Sequence, residues 1–245
     1  MAELLSLLAY GDAGWGDELL RGLVVTLALA LVTAPLALLL SFLLSWAKLS
    51  KSAVLRYFGF GFTTVFRSLP EILTLLIIYY QLQIAINWVA SFVFPDANIS
   101  INPFAAGVVA LTLVFGALGS EVVRSAYQSV GHGQAEAALA LGMRRHHVFF
   151  RVILPQMWRH SLPAFGNLWL ILLKDTSLVS IIAVNDLVRY ANRAIATTKE
   201  PFFFYAVLAL IFVVLAILSG FVFAAFERRA SREHDKGRSN AFIAD

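Results

Sequence analysis

The stretch GLVVTLALALVTAPLALLLSFLLSWA, Gly22 to Ala47, carries no formal charge. A helix needs about 20 mostly apolar residues to cross the hydrocarbon core of a bilayer, so this segment reads as a membrane span. Ile72 to Pro95, Ala97 to Ser120 and Pro201 to Phe226 are equally free of charge. Leu162 to Val184 is apolar except for Lys174 and Asp175 in its middle. The expected fold is an all-α membrane protein with five transmembrane helices, at about 20–47, 70–94, 104–124, 162–184 and 201–226. They form one transmembrane domain over residues 1–245. Tyr57 to Phe66, held between Arg56 and Arg67, is too short to cross and reads as a lateral helix on one membrane face.

The composition agrees. Of 245 residues, 60% are hydrophobic and 14% charged, whereas soluble domains run near half and a quarter. That balance excludes a disordered chain and a nucleic-acid binder, although the pI is about 9.5. Cysteine is absent, which removes disulfides, thiolate catalysis and Cys-ligated metals. The basic residues sort by membrane side. With the N-terminus outside, 14 of the 19 fall on inner segments: 48–67, 124–159 and 228–238. Only Arg21, Arg189, Arg193 and Lys199 fall outside, so the chain is expected N-out and C-in. Glu3, Asp12, Asp17 and Glu18 precede the first basic residue, unlike the basic start of a cleaved signal, so the first helix is expected to be retained. The polar tail from Glu227 is expected to extend a helix before fraying and to anchor topology, its cations against anionic headgroups.

Between the third and fourth spans lies a long cytoplasmic loop, about 125–160. Gln134 to Leu141, QAEAALAL, is strongly helix-forming, and Gly142 breaks it. Met143 to Leu154 shows one apolar face, with Pro155 expected to end that helix. Such a hairpin suits either docking into a partner's groove or covering its own bundle.

The residues of this loop carry a resemblance. Glu136-Ala137-Ala138, three residues, Gly142, nine residues, then Val152-Ile153-Leu154-Pro155 resembles the EAA loop of ABC-importer permeases, with Val152 in place of Ile. Lys174-Asp175-Thr176-Ser177-Leu178 matches a segment of the polar amino-acid branch of that family, and Ser120-Glu121-Val122-Val123-Arg124 and Arg67-Ser68-Leu69-Pro70 are similar to others. Gly131-His132-Gly133-Gln134 departs from the branch's Pro-Lys-Gly-Gln. Tyr80 to Ala85, Ile101-Asn102-Pro103 and Glu227-Arg228-Arg229 look most like permeases for histidine, lysine, arginine and ornithine, or for octopine and nopaline.

The resemblance implies a type I importer permease in the bacterial inner membrane. It implies pairing with a second, different permease subunit, two ATPase subunits at the cytoplasmic loops and a periplasmic substrate-binding protein. Glu136, Ala137, Ala138, Gly142, Leu154 and Pro155 would couple the ATPase to the spans. The sequence holds no GxxxxGK[ST] run, so this chain is expected to bind no cofactor, ATP and Mg belonging to the ATPase. The implied cargo is a polar, cationic amino acid or an opine; a neutral or acidic amino acid, or a membrane channel, is the alternative.

Ionisable residues in spans mark pathways or pairs. Glu121 and Arg124, one turn apart, read as an internal ion pair, with Glu121 also a pathway candidate. Lys174 and Asp175 point in different directions, and Glu121 is the expected partner of Lys174. With Thr176 and Ser177 they offer donors and acceptors for an amino acid, or anchor the bundle. Glu71, where the branch carries an apolar residue, suits a cationic substrate or caps a helix N-terminus. No catalytic or metal-binding residues are expected: the adjacent His146 and His147 lack metal-helix spacing, and all five histidines read as solvated surface. Gly116 and Gly119 could bring two spans close, but ordinary packing is expected there.

Overall fold

The computed structural model describes residue 4 and residues 6–11, 14–92 and 99–242. Glu3, Asp12, Pro95 and Ala97, used above for orientation and span limits, lie outside the described residues. Those described form helices only, and five helical segments are long and apolar enough to cross a membrane.

Helix α1, Gly16–Leu49, is the first span. Its 34 residues reach about 51 Å at 1.5 Å per residue, so it overshoots a core of about 30 Å. Helix α2, Ala53–Ser68, is the amphipathic lateral helix, packed against α1 where Gly59 meets Lys48. Helix α3, Glu71–Ser91, starts directly after Pro70. Helix α4, Pro103–Ser129, opens on an N-cap: Asn102 Oδ1 accepts from the Phe104 N–H at 2.9 Å, with proline at the first position.

The bundle is built around α4. In its most apolar stretch 67% of residues are buried, against 6% in the last span. The α1–α4 crossing is closer than ordinary packing, which corrects the expectation for Gly116 and Gly119. A Cβ on Gly116 would lie 2.5 Å from Leu40 Cδ2, and one on Gly119 would collide with Ser41 Oγ. The room left by the two glycines lets Ser41 Oγ donate across the crossing to the Gly116 carbonyl at 3.2 Å, besides its own Ala37 carbonyl at 2.7 Å.

The loop between the third and fourth spans folds as a hairpin. Helix α5, His132–Ala140, ends as expected at Gly142, whose φ is +80°. Met143 N–H donates to the Ala138 carbonyl and Gly142 N–H to that of Leu139, the paired bonds of a Schellman turn. Pro155 does not end the following helix. Helix α6, Arg145–Val148, passes through a π turn, Phe149–Ile153, into helix α7, Leu154–Asp175. Leu154 N–H bonds the Phe149 carbonyl five residues back, and that wide turn relieves the clash Pro155 would make inside regular helix. The fourth span therefore begins below Leu162, through Gln156, Arg159 and His160, residues that read as loop.

At its outer end α7 tightens into a 3-10 segment, Thr176–Ile182, whose Thr176, Val179 and Ile182 are buried. Ala183 then takes a left-handed φ of 70°. A second lateral helix, α8, Leu187–Thr198, occupies an outer segment read only as a short connection. Its signal was present in the N-cap Asp186 and the apolar spacing of Leu187, Ala191 and Ala194, all buried. Asp186 Oδ1 accepts from Arg189 N–H at 2.9 Å, and Leu187 N–H donates to Thr26 Oγ1 on α1 at 3.2 Å. Helix α9, Pro201–Phe242, is the last span and continues into the tail.

Two measurements check this packing. Gly119→Val is expected to cost about 1–3 kcal/mol by overpacking, read as a lower melting temperature, whereas Gly220→Ala, with open space around it in helix α9, does not lower it. Burial pushes the Asp186 carboxyl up to about 6, above the ordinary value of about 3.9. The unfolded chain then loses this proton first, so stability falls as pH rises from about 4 to about 6 and is level above. Asp186→Asn is expected to remove that slope from the melting profile.

Candidate functional site: a charge cluster, a helical hairpin and an acidic pair

Two spans, α1 and α4, and the lateral helix α2 converge on Glu121. Lys48, in the last turn of α1, sends Nζ to Glu121 Oε1 at 2.8 Å and to Ser120 Oγ at 2.8 Å. Arg67, at the end of α2, reaches Oε1 at 3.3 Å, and Arg124, one turn along α4, reaches Oε2 at 3.6 Å. The Phe60 ring of α2 lies beneath Lys48 and Arg124, with 5.8 and 5.2 Å from cation to centroid. The Lys48 side chain is fully buried, so it needs a counter-charge there.

The Glu121–Arg124 pair stands where the sequence placed it. Lys174 is not its partner, because both carboxylate oxygens are engaged by Lys48, Arg67 and Arg124 at the inner end of the bundle. Lys174 lies at the other end of the fourth span, in the last turn of α7. Lys48 and Arg67 had read as loop charges. The signal for Lys48 was its position, directly after the uncharged run to Ala47.

The hairpin stands on a small core of its own. Val123 and Ala126 from α4, and Val130 just after it, meet Ala138, Val148, Ile153 and Met157. Ala138 is thus an internal contact, and the outward face is Glu136, Ala137, Leu139 and Leu141, with Leu141 84% exposed. Gly142 has open space around it. Leu154 and Pro155 belong to the root of α7 and not to the outward face of the hairpin.

Where α3 begins beside the end of α7, the structure brings Glu71 and Asp175 together. Glu71 is exposed at the start of α3, Asp175 is half-buried at the end of α7, and the two carboxylates interact electrostatically. Lys174 is exposed beside them and acts on Asp175 as well. Ser177 is half-buried, whereas Thr176 is fully buried with its hydroxyl donating to the Leu173 carbonyl at 2.7 Å. Thr176 therefore serves the backbone at the helix transition. Among the described residues no cluster of His, Asp and Glu could hold a metal.

Residues 37–232 match the family described as "Binding-protein-dependent transport system inner membrane component". The chain is 38% identical to the histidine/lysine/arginine/ornithine transport system permease protein HisQ of Salmonella typhimurium, over 89% of this chain and 95% of that protein. It is 37% identical to the nopaline transport system permease protein NocQ of Agrobacterium fabrum, over 93% of this chain and 97% of that protein. A solved structure described as an amino acid ABC transporter with histidines superposes with a TM-score of 0.75 at 30% identity, covering 88% of this chain and 95% of that one.

The cluster makes a directional prediction. Glu121→Ala leaves the buried Lys48 ammonium unpaired and is expected to cost about 3 kcal/mol, whereas Lys48→Met is expected to cost less than about 1 kcal/mol. Thermal melting of the purified protein in detergent reads both.

Proposed function

The chain belongs to the family of binding-protein-dependent transport system inner membrane components, and from that premise we propose that it is the permease subunit of an ATP-driven importer of cationic amino acids or opines. The observation that carries the substrate class is the carboxylate pair Glu71 and Asp175, with Lys174 beside it. Two acids where the start of α3 meets the end of α7 attract an ammonium or guanidinium group, and Lys174 supplies the opposite charge for an α-carboxylate. The pair disfavours an acidic cargo, which it would repel. The relatives named for basic amino acids and nopaline support the same reading.

The cytoplasmic hairpin is the coupling element in this reading. Its exposed Ala137 and Leu141 offer small and apolar contacts to a partner groove, Glu136 beside them offers a carboxylate, and Gly142 sets the turn behind them. Ala138 joins the hairpin to α4, and Leu154 and Pro155 join it to α7, so a push on the hairpin is delivered to two spans. The partners are two ATPase subunits, which hold ATP and Mg, a second permease subunit of different sequence and a periplasmic substrate-binding protein. The membrane is the bacterial inner membrane, with the N-terminus outside.

Uptake measurements test the substrate class. In the assembled transporter Glu71→Gln is expected to lower arginine uptake about tenfold and to spare any neutral amino acid carried; equal loss of both would refute selection by charge. Gly142→Asp, which strains a left-handed position, is expected to abolish co-purification of the ATPase. Wild-type yield of the complex with normal uptake would overturn the coupling role.

A further inference from the structure

A cavity of about 540 Å³ lies between α1, α4, α7 and α9. Along α7 it runs from Leu172 to Trp158, about 21 Å at 1.5 Å per residue, a little more than one leaflet of a core about 30 Å thick. Its walls on α1 and α9 belong to the same half of the bundle as Lys48 and the charged tail. Phe165, Phe223 and the two indoles of Trp158 and Trp169 dominate the lining. Its polar groups are largely engaged: Ser41 Oγ bonds the Ala37 and Gly116 carbonyls, and Trp169 Nε1 donates to Ser219 Oγ at 2.9 Å. Water has too few partners there to be held.

At the mouth stands Arg229, exposed, with no hydrogen bond or carboxylate partner among the described residues. Its neighbour Arg228 differs, since its Nε donates to the Ala224 carbonyl at 3.1 Å. Trp158 and Phe226 line the cavity and are 41% and 55% exposed, so it opens to the surroundings of the bundle.

We propose that this cavity is a lipid site, which takes one acyl chain of an anionic phospholipid of the inner leaflet and holds its phosphate on the Arg229 guanidinium. Moving a chain from bilayer to cavity gains no hydrophobic free energy, because both are apolar. The chain instead gives the cavity wall atoms the contacts they lack. The headgroup preference comes from the charge-assisted bond between guanidinium and phosphate, at the depth where inner-leaflet headgroups lie. The occupant is an anionic lipid because, among the described residues, the mouth offers one unpaired cation and no acid.

Native mass spectrometry of the full chain, in the complex it forms, tests this after delipidation and titration with phosphatidylglycerol or phosphatidylethanolamine. The expected result is one phosphatidylglycerol retained per copy, with about fivefold preference over phosphatidylethanolamine. Arg229→Lys keeps the preference and Arg229→Gln abolishes it. Ala34→Phe, which fills the cavity, loses both lipids, with melting temperature as the check on folding. The exposed Arg229 variants keep the test valid should Ala34→Phe not fold. No retained lipid, equal retention of the two lipids by the wild type, or an unchanged preference in Arg229→Gln overturns the proposal.

Discussion

Apolar side chains gain nothing by leaving lipid for one another, so spans must be held by close packing and by polar contacts that lipid cannot offer. In this chain both operate at one crossing. Gly116 and Gly119 let α1 approach α4 until the Ser41 hydroxyl reaches the Gly116 carbonyl. One turn or two further along the same two helices, Lys48 finds Ser120 and Glu121. The approach fixes where α1 ends, and the buried ammonium then fixes what must face it. The lateral helix α2 joins through Arg67 and Phe60, so α4 becomes the axis from which the other elements take their positions.

That axis joins regions with different chemistry. At its inner end the hairpin is seated on Val123, Ala126 and Val130, and nearby Glu121 gathers its cations. Toward the outer end, Val108 and Leu111 lie in the same core as Val179 and Ile182, which follow the Lys174–Asp175 pair on the fourth span. The hairpin core and the segment that follows Asp175 therefore pack on one helix, α4. The cluster at Glu121 opposes relative sliding of α1, α2 and α4, since each carries one of its charges.

The five spans could be read from sequence because long uncharged runs admit few other structures, and the Schellman turn because glycine is the usual residue at such a left-handed position. What could not be read depended on partners or on local compensation. Pro155 is a helix-breaker by itself, and only the wider turn from Phe149 to Ile153 makes it compatible with a continuous helix. Lys48 looks like the first residue of a basic loop until the α1–α4 approach places it beside Glu121. Lys174 and Glu121 share a sign rule but sit at opposite ends of the bundle, which charge counting along the chain does not reveal. Helix α8 carries Arg189 and Arg193 between its apolar positions, and these masked an apolar stripe only three residues deep.

The change from α to 3-10 winding after Asp175 has a geometric consequence. With three residues per turn, Thr176, Val179 and Ile182 stack in a straight line parallel to the axis, where an α-helix would let that stripe drift. Each residue also advances about 2.0 Å in place of 1.5 Å, so the seven residues gain roughly 3.5 Å of height. The segment acts as a stretched final storey. It raises Ala183 and Asp186 to the level at which Leu187 N–H meets Thr26, and it does so without lengthening the chain.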